Sequence, residues 1–422
     1  MSLLIKNCFV GKDKCDIAIE GNRIAQVGKN IKGNFDEIIQ ADGLTALPAF
    51  IDMHTHLREP GYEYKEDVAS GSMAAVAGGF STVCCMPNTK PVTDNKYVVK
   101  YIVDRAKEVN LAKVYPIGAI TLGLKGETMA EMGSMREAGA IAMSDDGQPV
   151  TTAQMMRLAL EYAKDYDLLL CSHCEEKSLI NDGVVNEGEN ATKAGLKGIP
   201  SCAEDIMISR EIILAEMLDA KVHICHVSTA SGVQLIREAK ARGVKVSCET
   251  CPHYIAGTDD LILGYDTNSK VNPPLRTEKD RQAILAGLAD GTIDVIATDH
   301  APHHYEDKNV DFSQAANGIS GLETAFALSY TYLVDKGVID LDKLVQLTSE
   351  KPAKLLGLES GKLCDGGLAD ITLVNLDAKY KVDAKKFKSK GKNTPFDGWE
   401  VKGKVVATIV EGQLKYKEES LK

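Results

Sequence analysis

Eight short apolar runs punctuate residues 47 to 300: LPAFIDM, FSTVCCM, AKVYPIG, AGAIAMS, DLLLCS, AKVHICH, VKVSCE and IDVIAT. Each is followed by a polar or Gly/Pro turn and then by a helical pattern. A near-continuous apolar run is what a parallel strand shows when both of its faces are covered. The intervening segments carry helix signals: Thr151 or Thr152 can cap a stretch in which Met155, Ala159, Tyr162 and Ala163 share a face, and Ser201 to Glu204 has a capping-box pattern. Eight strand-then-helix units predict a closed parallel (β/α)8 barrel. An open doubly wound sheet is the runner-up.

The two ends of the chain differ from this pattern. Residues 1–50 and 355–422 carry short alternating segments separated by Gly and Asn or Asp, such as EGNRIAQVG and GKVVATIVEGQLKYK. These read as antiparallel strands, so the prediction is one small β domain built from both termini around a barrel of residues 51–354.

Composition narrows the function. No apolar run approaches the ~20 residues needed to cross a bilayer, and a net charge of -11 argues against nucleic acid or an anionic membrane as partner. The N-terminus lacks a basic segment leading into an apolar one, which predicts a cytoplasmic protein. Eleven cysteines in 422 residues do not make a disulfide scaffold. The spacings Cys171-x-x-Cys174 and Cys248-x-x-Cys251 are read as packing, because positions three apart on a strand diverge.

All nine histidines lie within the proposed barrel, and they follow or end predicted strands. Barrel enzymes build their active sites at that end. Side chains two apart on a strand point the same way, so His54 and His56 share a face, a spacing that suits two imidazoles on one metal ion. Alone the pair is weak evidence. Further strand ends supply Asp145 and Asp146, His173, His226 and Asp299, an N/O ligand set of the kind Zn²⁺ takes in catalytic sites. Six candidate ligands exceed the four of one tetrahedral ion, so two metals sharing a carboxylate fit better than one. Parity places His223, three residues before His226, toward the helices as a structural histidine. Asp145 and Asp146 remain alternatives, and Asp52 either orients a ligand histidine or ends its strand.

The motifs DMHTHLREPG, MPNT, SDDG, SHCE, HICHVST, ETCPH, NPPLR, TDHAPH and NTPFDGW together resemble the class I bacterial dihydroorotases of the amidohydrolase superfamily. The resemblance covers essentially the whole chain. It implies metal positions at His54, His56, Asp146, His173, His226 and Asp299, with one or two Zn²⁺ per subunit. Asp146 would be the bridge, and with no lysine beside it no carboxylated lysine is expected. The implied reaction is the reversible cyclisation of N-carbamoyl-L-aspartate to L-dihydroorotate and water, the third step of pyrimidine synthesis, with Asp299 as general base and acid.

The resemblance further implies that Arg58, Asn88 and His303 grip the substrate carboxylate and that His56 also touches substrate. Asn272 and the backbone of Asn317 and Gly318 would hold the amide edge of the ring, although the side chain at 317 departs from the family form. Residues 305–319 are long and polar and read as a candidate lid. A homodimer and an association with aspartate transcarbamoylase are the implied protein partners. Two rivals stand beside this reading: an allantoinase or hydantoinase, and an inactive paralogue that only binds aspartate transcarbamoylase.

Overall fold

Strands that are apolar on both faces must be covered on both faces, and a closed barrel wrapped in helices does this. The computed structural model describes residues 2–359, 362–419 and 421; residues 1, 360, 361, 420 and 422, at the edges of the predicted β-domain segments, lie outside the described residues. The chain begins with β1 (Ser2–Val10), β2 (Asp13–Glu20), β3 (Arg23–Gly28), β4 (Glu37–Gln40) and β5 (Thr45–Pro48). It then enters a barrel through β6 (Phe50–Thr55), β7 (Phe80–Cys85), β8 (Lys113–Gly118), β9 (Ala142–Ser144) and β10 (Leu169–Ser172). A two-stranded excursion, β11 (Val185–Asn186) with β12 (Gly198–Ile199), precedes the last barrel strands β13 (Val222–Ile224), β14 (Val246–Thr250) and β15 (Val295–Ile296). The chain closes with β16 (Ile371–Lys381), β17 (Glu400–Val410) and β18 (Gln413–Lys417).

The eight barrel strands are parallel neighbours in the order β6, β7, β8, β9, β10, β13, β14, β15, as the eight apolar runs predict. The (β/α)8 reading holds and the open sheet does not, because the first and last strands meet: Thr55 bridges His300, and the His56 N–H donates to the His300 carbonyl at 2.8 Å. Asp52 stitches the same seam. Its carboxylate accepts from the Thr298 N–H at 3.1 Å and hydroxyl at 2.5 Å, and from the His54 N–H at 3.0 Å. Asp52 therefore holds strand ends together and touches no ligand ring.

Alternation along each strand sorts side chains into two cores. Met53, Cys84, Ile117, Cys171, Cys225 and Val295 fill the barrel interior, while Val83, Val114, Leu170, Val222 and Ile224 pack outward under the helices. Each fully buried Val, Leu or Ile contributes roughly 1.5–3 kcal/mol relative to exposure. The cysteines behave as small apolar side chains: Cys171, Cys174 with Cys248, and Cys251 belong to three different clusters, and all are free.

Helix starts follow their caps only in part. Thr152 caps the helix Ala153–Asp165, accepting from the Met155 N–H at 3.1 Å. The predicted capping box at Ser201 does not form. Glu204 is drawn away by a stronger set of partners, the Ser228 N–H at 2.8 Å and the buried Arg276 guanidinium at 3.2 Å.

The terminal strands form one sheet in the order β18, β17, β16, β5, β1, β2, β3, with β4 beside β1. The joint between the two ends is the antiparallel pairing of β16 with β5, in which Ile371 faces Pro48 and Leu373 faces Ala46. Leu3, Ile5, Ile17, Ile19, Ile371, Leu373 and Ile409 make its separate core. Among the described residues, no helix is long and apolar enough to cross a membrane.

Candidate active site

At the end of β6 the backbone delivers His54 and His56 to one side, as their spacing requires. His54 Nε2 lies 3.3 Å from Asp146 Oδ1 and 3.5 Å from Asp299 Oδ1, and His56 Nε2 lies 2.9 Å from the same Asp299 oxygen and 3.5 Å from Asp146 Oδ2. His226 Nε2 sits 3.5 Å from Asp146 Oδ1 and 2.8 Å from His173 Nδ1. All six predicted positions thus converge, and all are buried.

Two of them arrive by strained backbone. His226 and Asp299 follow short strands and adopt φ of 36° and 47°, a left-handed conformation unfavourable for residues with a Cβ. This is why parity fails at β13. His226 is turned back toward the axis, and His223 also faces inward, against the prediction that it faces the helices: its Nε2 lies 3.2 Å from Glu249 and its Nδ1 2.8 Å from Ser247 Oγ. His223 is hydrogen-bonded in the barrel interior.

The donor set fits a metal. One donor atom each from His54, Asp146 and His226 lie within 4.8 Å of one another, and so do those of His54, His56 and Asp299. Nε2 of His54, Oδ1 of Asp146 and Nε2 of His173 are buried without a hydrogen-bond partner, an arrangement that is costly unless something satisfies them. Converging imidazoles and carboxylates around unsatisfied atoms match an N/O cation site. Electrostatics agree. Burial acts to neutralise Asp146, yet the His54 charge and the close imidazoles of His173 and His226 hold its carboxyl well below the usual range. Burial likewise opposes charge on His54, but Asp146, Glu249 and Asp299 hold its pKa well above the ordinary value.

Asp145 is committed elsewhere. It accepts from the Ile120 N–H at 2.8 Å, the Thr121 N–H at 3.0 Å and the Thr121 hydroxyl, so Asp146 is the member of the pair that faces the histidines.

The predicted substrate residues surround this cluster. Asn88 Oδ1 is 2.9 Å from His56 Nδ1. Arg58, at φ 63°, donates to the Pro302 carbonyl at 3.3 Å and reaches within 3.4 Å of His303. The Arg58 and Asn88 loops are pressed together at Gly61, where a Cβ would meet the Lys90 carbonyl oxygen at 2.0 Å. His303 Nε2–H donates to the Asn317 carbonyl at 2.8 Å, and Lys65 Nζ lies 3.3 Å from its Nδ1. Burial first, then the charges of Arg58, Lys65 and Lys308, push the His303 pKa down to about 2, so the ring is neutral in ordinary buffers. Asn272 donates to Glu175 at 2.8 Å and leaves its Oδ1 buried and unpartnered, suited to a ligand N–H.

The segment 305–319 is anchored around the buried Lys308. Its ammonium donates to the carbonyls of Thr267 at 3.0 Å, Lys270 at 3.1 Å and Ala316 at 2.6 Å, while Lys270 Nζ donates to the Ser313 carbonyl at 2.8 Å. Gly318 has φ 143° and accepts from Asn393 at 2.9 Å.

Two residues with site contacts have no assigned role in the sequence reading. Glu249 Oε1 lies 2.6 Å from His54 Nδ1, and its signal is a carboxylate at the end of the seventh apolar run, two residues from Ser247. Asn393, in the NTPFDGW motif, accepts from the His303 N–H at 2.9 Å and donates to the Ala301 carbonyl at 3.0 Å; only its place in the motif marks it. A cavity of about 630 Å³ lies away from all these groups, lined by residues such as Glu323, Tyr380, Lys388 and Tyr416.

Known proteins of two kinds resemble the chain. A family model described as Dihydro-orotase-like matches residues 43–232. A dihydroorotase of Acetivibrio thermocellus is 52% identical over 96% of this chain and 95% of its own length. Another from Pelobacter propionicus is 52% identical over 99% of this chain and 100% of its own. Among solved structures, the L-hydantoinase (dihydropyrimidinase) from Arthrobacter aurescens superposes with a TM-score of 0.88 at 27% identity, covering 100% of this chain and 97% of that one.

Proposed function

This chain belongs to the dihydroorotase family, and we propose that it catalyses the reversible cyclisation of N-carbamoyl-L-aspartate to L-dihydroorotate and water in pyrimidine synthesis. The observation that carries this reading is the placement of Arg58, Asn88 and His303 beside the buried histidine–aspartate cluster on one end of the barrel. A cyclic amide hydrolase needs the cluster. A substrate bearing a carboxylate also needs the guanidinium, whose fork matches that group.

In this reading Zn²⁺, one or two per subunit, would be held by His54, His56, Asp146, His173, His226 and Asp299, and no carboxylated lysine is invoked. When bound, zinc supplies Lewis acidity toward water and toward the ring carbonyl. The chain's own residues do the rest. Asp299 takes a proton from the attacking water and delivers it to the ring nitrogen as the amide bond breaks. In the ring-forming direction the same carboxylate removes the proton from the carbamoyl nitrogen. Arg58 and Asn88 hold the carboxylate, with His303, its one N–H on the Asn317 carbonyl, packed beside the guanidinium as part of the same grip; His56 borders the substrate, and the free Oδ1 of Asn272 with the backbone of Asn317 and Gly318 receives the amide edge.

The finer assignments belong to the same proposal: the class I type, cytoplasmic location, a homodimer, an association with aspartate transcarbamoylase, and a division into a β domain of residues 1–50 and 355–422 around a catalytic barrel of 51–354. Purified protein assayed on dihydroorotate, hydantoin and allantoin, alongside metal analysis, tests the central claim. Turnover of dihydroorotate well above the other two is expected. Preference for hydantoin, or no turnover of a zinc-loaded sample, would overturn it.

A further inference from the structure

We propose that Glu249 is a positioning residue that holds His54 for metal binding, with His223 and Ser247 holding Glu249 in turn. This rests on the reading of His54 as a ligand. Ser247 and Glu249 are two apart on β14 and therefore point to the same side, into the barrel. Glu249 is buried, and each of its carboxylate oxygens meets one imidazole: Oε1 lies 2.6 Å from His54 Nδ1, and Oε2 lies 3.2 Å from His223 Nε2. The far side of His223 is 2.8 Å from Ser247 Oγ.

The chemistry gives this chain a direction. A carboxylate only accepts, so both imidazole nitrogens facing Glu249 carry hydrogen. His223 Nδ1 then accepts from the Ser247 hydroxyl. With its Nδ1 committed to Glu249, His54 presents its Nε2 toward Asp146 and Asp299, at 3.3 Å and 3.5 Å, as the nitrogen that would face a bound cation. His54 belongs to both donor groups, so its orientation matters to both.

The other ligand rings are held differently. His56 leans on the neutral amide of Asn88 at 2.9 Å, and Glu175 Oε2 is 3.6 Å from His173 Nε2, beyond hydrogen-bond reach. Among the described residues, Glu249 is the carboxylate bonded behind a ligand histidine. Carboxylate–histidine–metal arrangements of this kind orient the ring and raise its basicity, and disrupting them costs roughly 10- to 100-fold in metal affinity or activity.

The test is a zinc titration of chelator-stripped protein against a chromophoric competitor, with the visible spectrum of the Co²⁺-loaded protein recorded in parallel. Glu249→Gln preserves shape and removes the charge. It is expected to weaken zinc binding roughly 10- to 100-fold and to change the Co²⁺ bands, with the far-UV circular dichroism of the metal-free protein unchanged. Glu249→Asp, one methylene short of His54, is expected to bind zinc no better than the Gln variant. Wild-type affinity together with an unaltered Co²⁺ spectrum in Glu249→Gln would overturn the proposal. Failure of the wild-type protein itself to bind zinc would instead overturn the metal reading on which it rests. If Glu249→Gln does not fold, His223→Leu decides: it leaves the carboxylate on His54 but removes a donor to it, and a several-fold loss of zinc affinity supports the inference while an unchanged affinity refutes it.

Discussion

Replacing Lys308 by Met should loosen the backbone proposed to receive the substrate ring while leaving the metal cluster intact. The magnitude follows from what each carbonyl loses. The Thr267 carbonyl retains the Lys270 N–H at 3.1 Å, and the Lys270 carbonyl retains the Gly318 N–H at 2.9 Å, so each forfeits a second hydrogen bond only. The Ala316 carbonyl accepts from no other group among the described residues and is left unsatisfied. The Ala316 carbonyl is only partly buried, so three lost bonds at about 0.5–1.5 kcal/mol each sum to roughly 1.5–4.5 kcal/mol. This energy is local to residues 305–319, so it should appear as faster hydrogen exchange there rather than as global unfolding. Because Gly318 N–H is tied to the Lys270 carbonyl that Lys308 also holds, KM for dihydroorotate should rise roughly tenfold or more while kcat changes less. Exchange measured by mass spectrometry and steady-state kinetics check both. Unchanged exchange across 309–318, or a fall in kcat with KM preserved, would refute the reasoning.

Arg58→Met should raise KM for dihydroorotate roughly 10- to 100-fold, the equivalent of the ~1.5–3 kcal/mol that a hydrogen bond to a charged group contributes, and should leave hydantoin hydrolysis unaffected where any exists; equal losses on both substrates would argue against carboxylate recognition. Asp299→Ala should abolish dihydroorotate turnover, with kcat down at least ~10²-fold, while the fold persists, and metal content measured in parallel separates loss of the proton carrier from loss of a ligand; full activity would remove Asp299 from its proposed role. His303 supplies a pH test. Its folded pKa of about 2 lies below the ordinary 6.5, so the unfolded chain binds the extra proton between those values and stability falls as pH drops through and below 6.5. Relative to wild type, His303→Gln should lack about 2 kcal/mol of the loss between pH 7 and 5, read from denaturant unfolding at each pH; parallel profiles would show that His303 titrates normally.

The barrel was legible because eight apolar runs, each too short and too continuous for an amphipathic helix, leave a parallel sheet covered on both faces as the arrangement that buries them. His54 and His56 were legible for an equally local reason, since a period of two holds wherever the strand is regular. Parity along a strand breaks down where regular geometry stops. His223 and His226 looked opposed by parity, but β13 ends at Ile224 and His226 lies beyond it at φ 36°, so both rings point inward. Glu204 looked like half of a capping box until a buried arginine from a distant loop claimed its carboxylate.

Local order along the chain therefore determined the barrel, the joined terminal strands and the identity of the convergent histidines and aspartates, because hydrophobic period and residue chemistry are written within a few residues of one another. Which aspartate of the SDDG pair faces the cluster was implied by resemblance, and its physical basis is tertiary: Thr121 and Ile120 claim Asp145. The role of Asp52 as a barrel seam and of Glu249 as the brace behind His54 was decided by tertiary structure alone. Each depends on two strands far apart in sequence closing to within hydrogen-bond distance, and no period along a single strand encodes that distance.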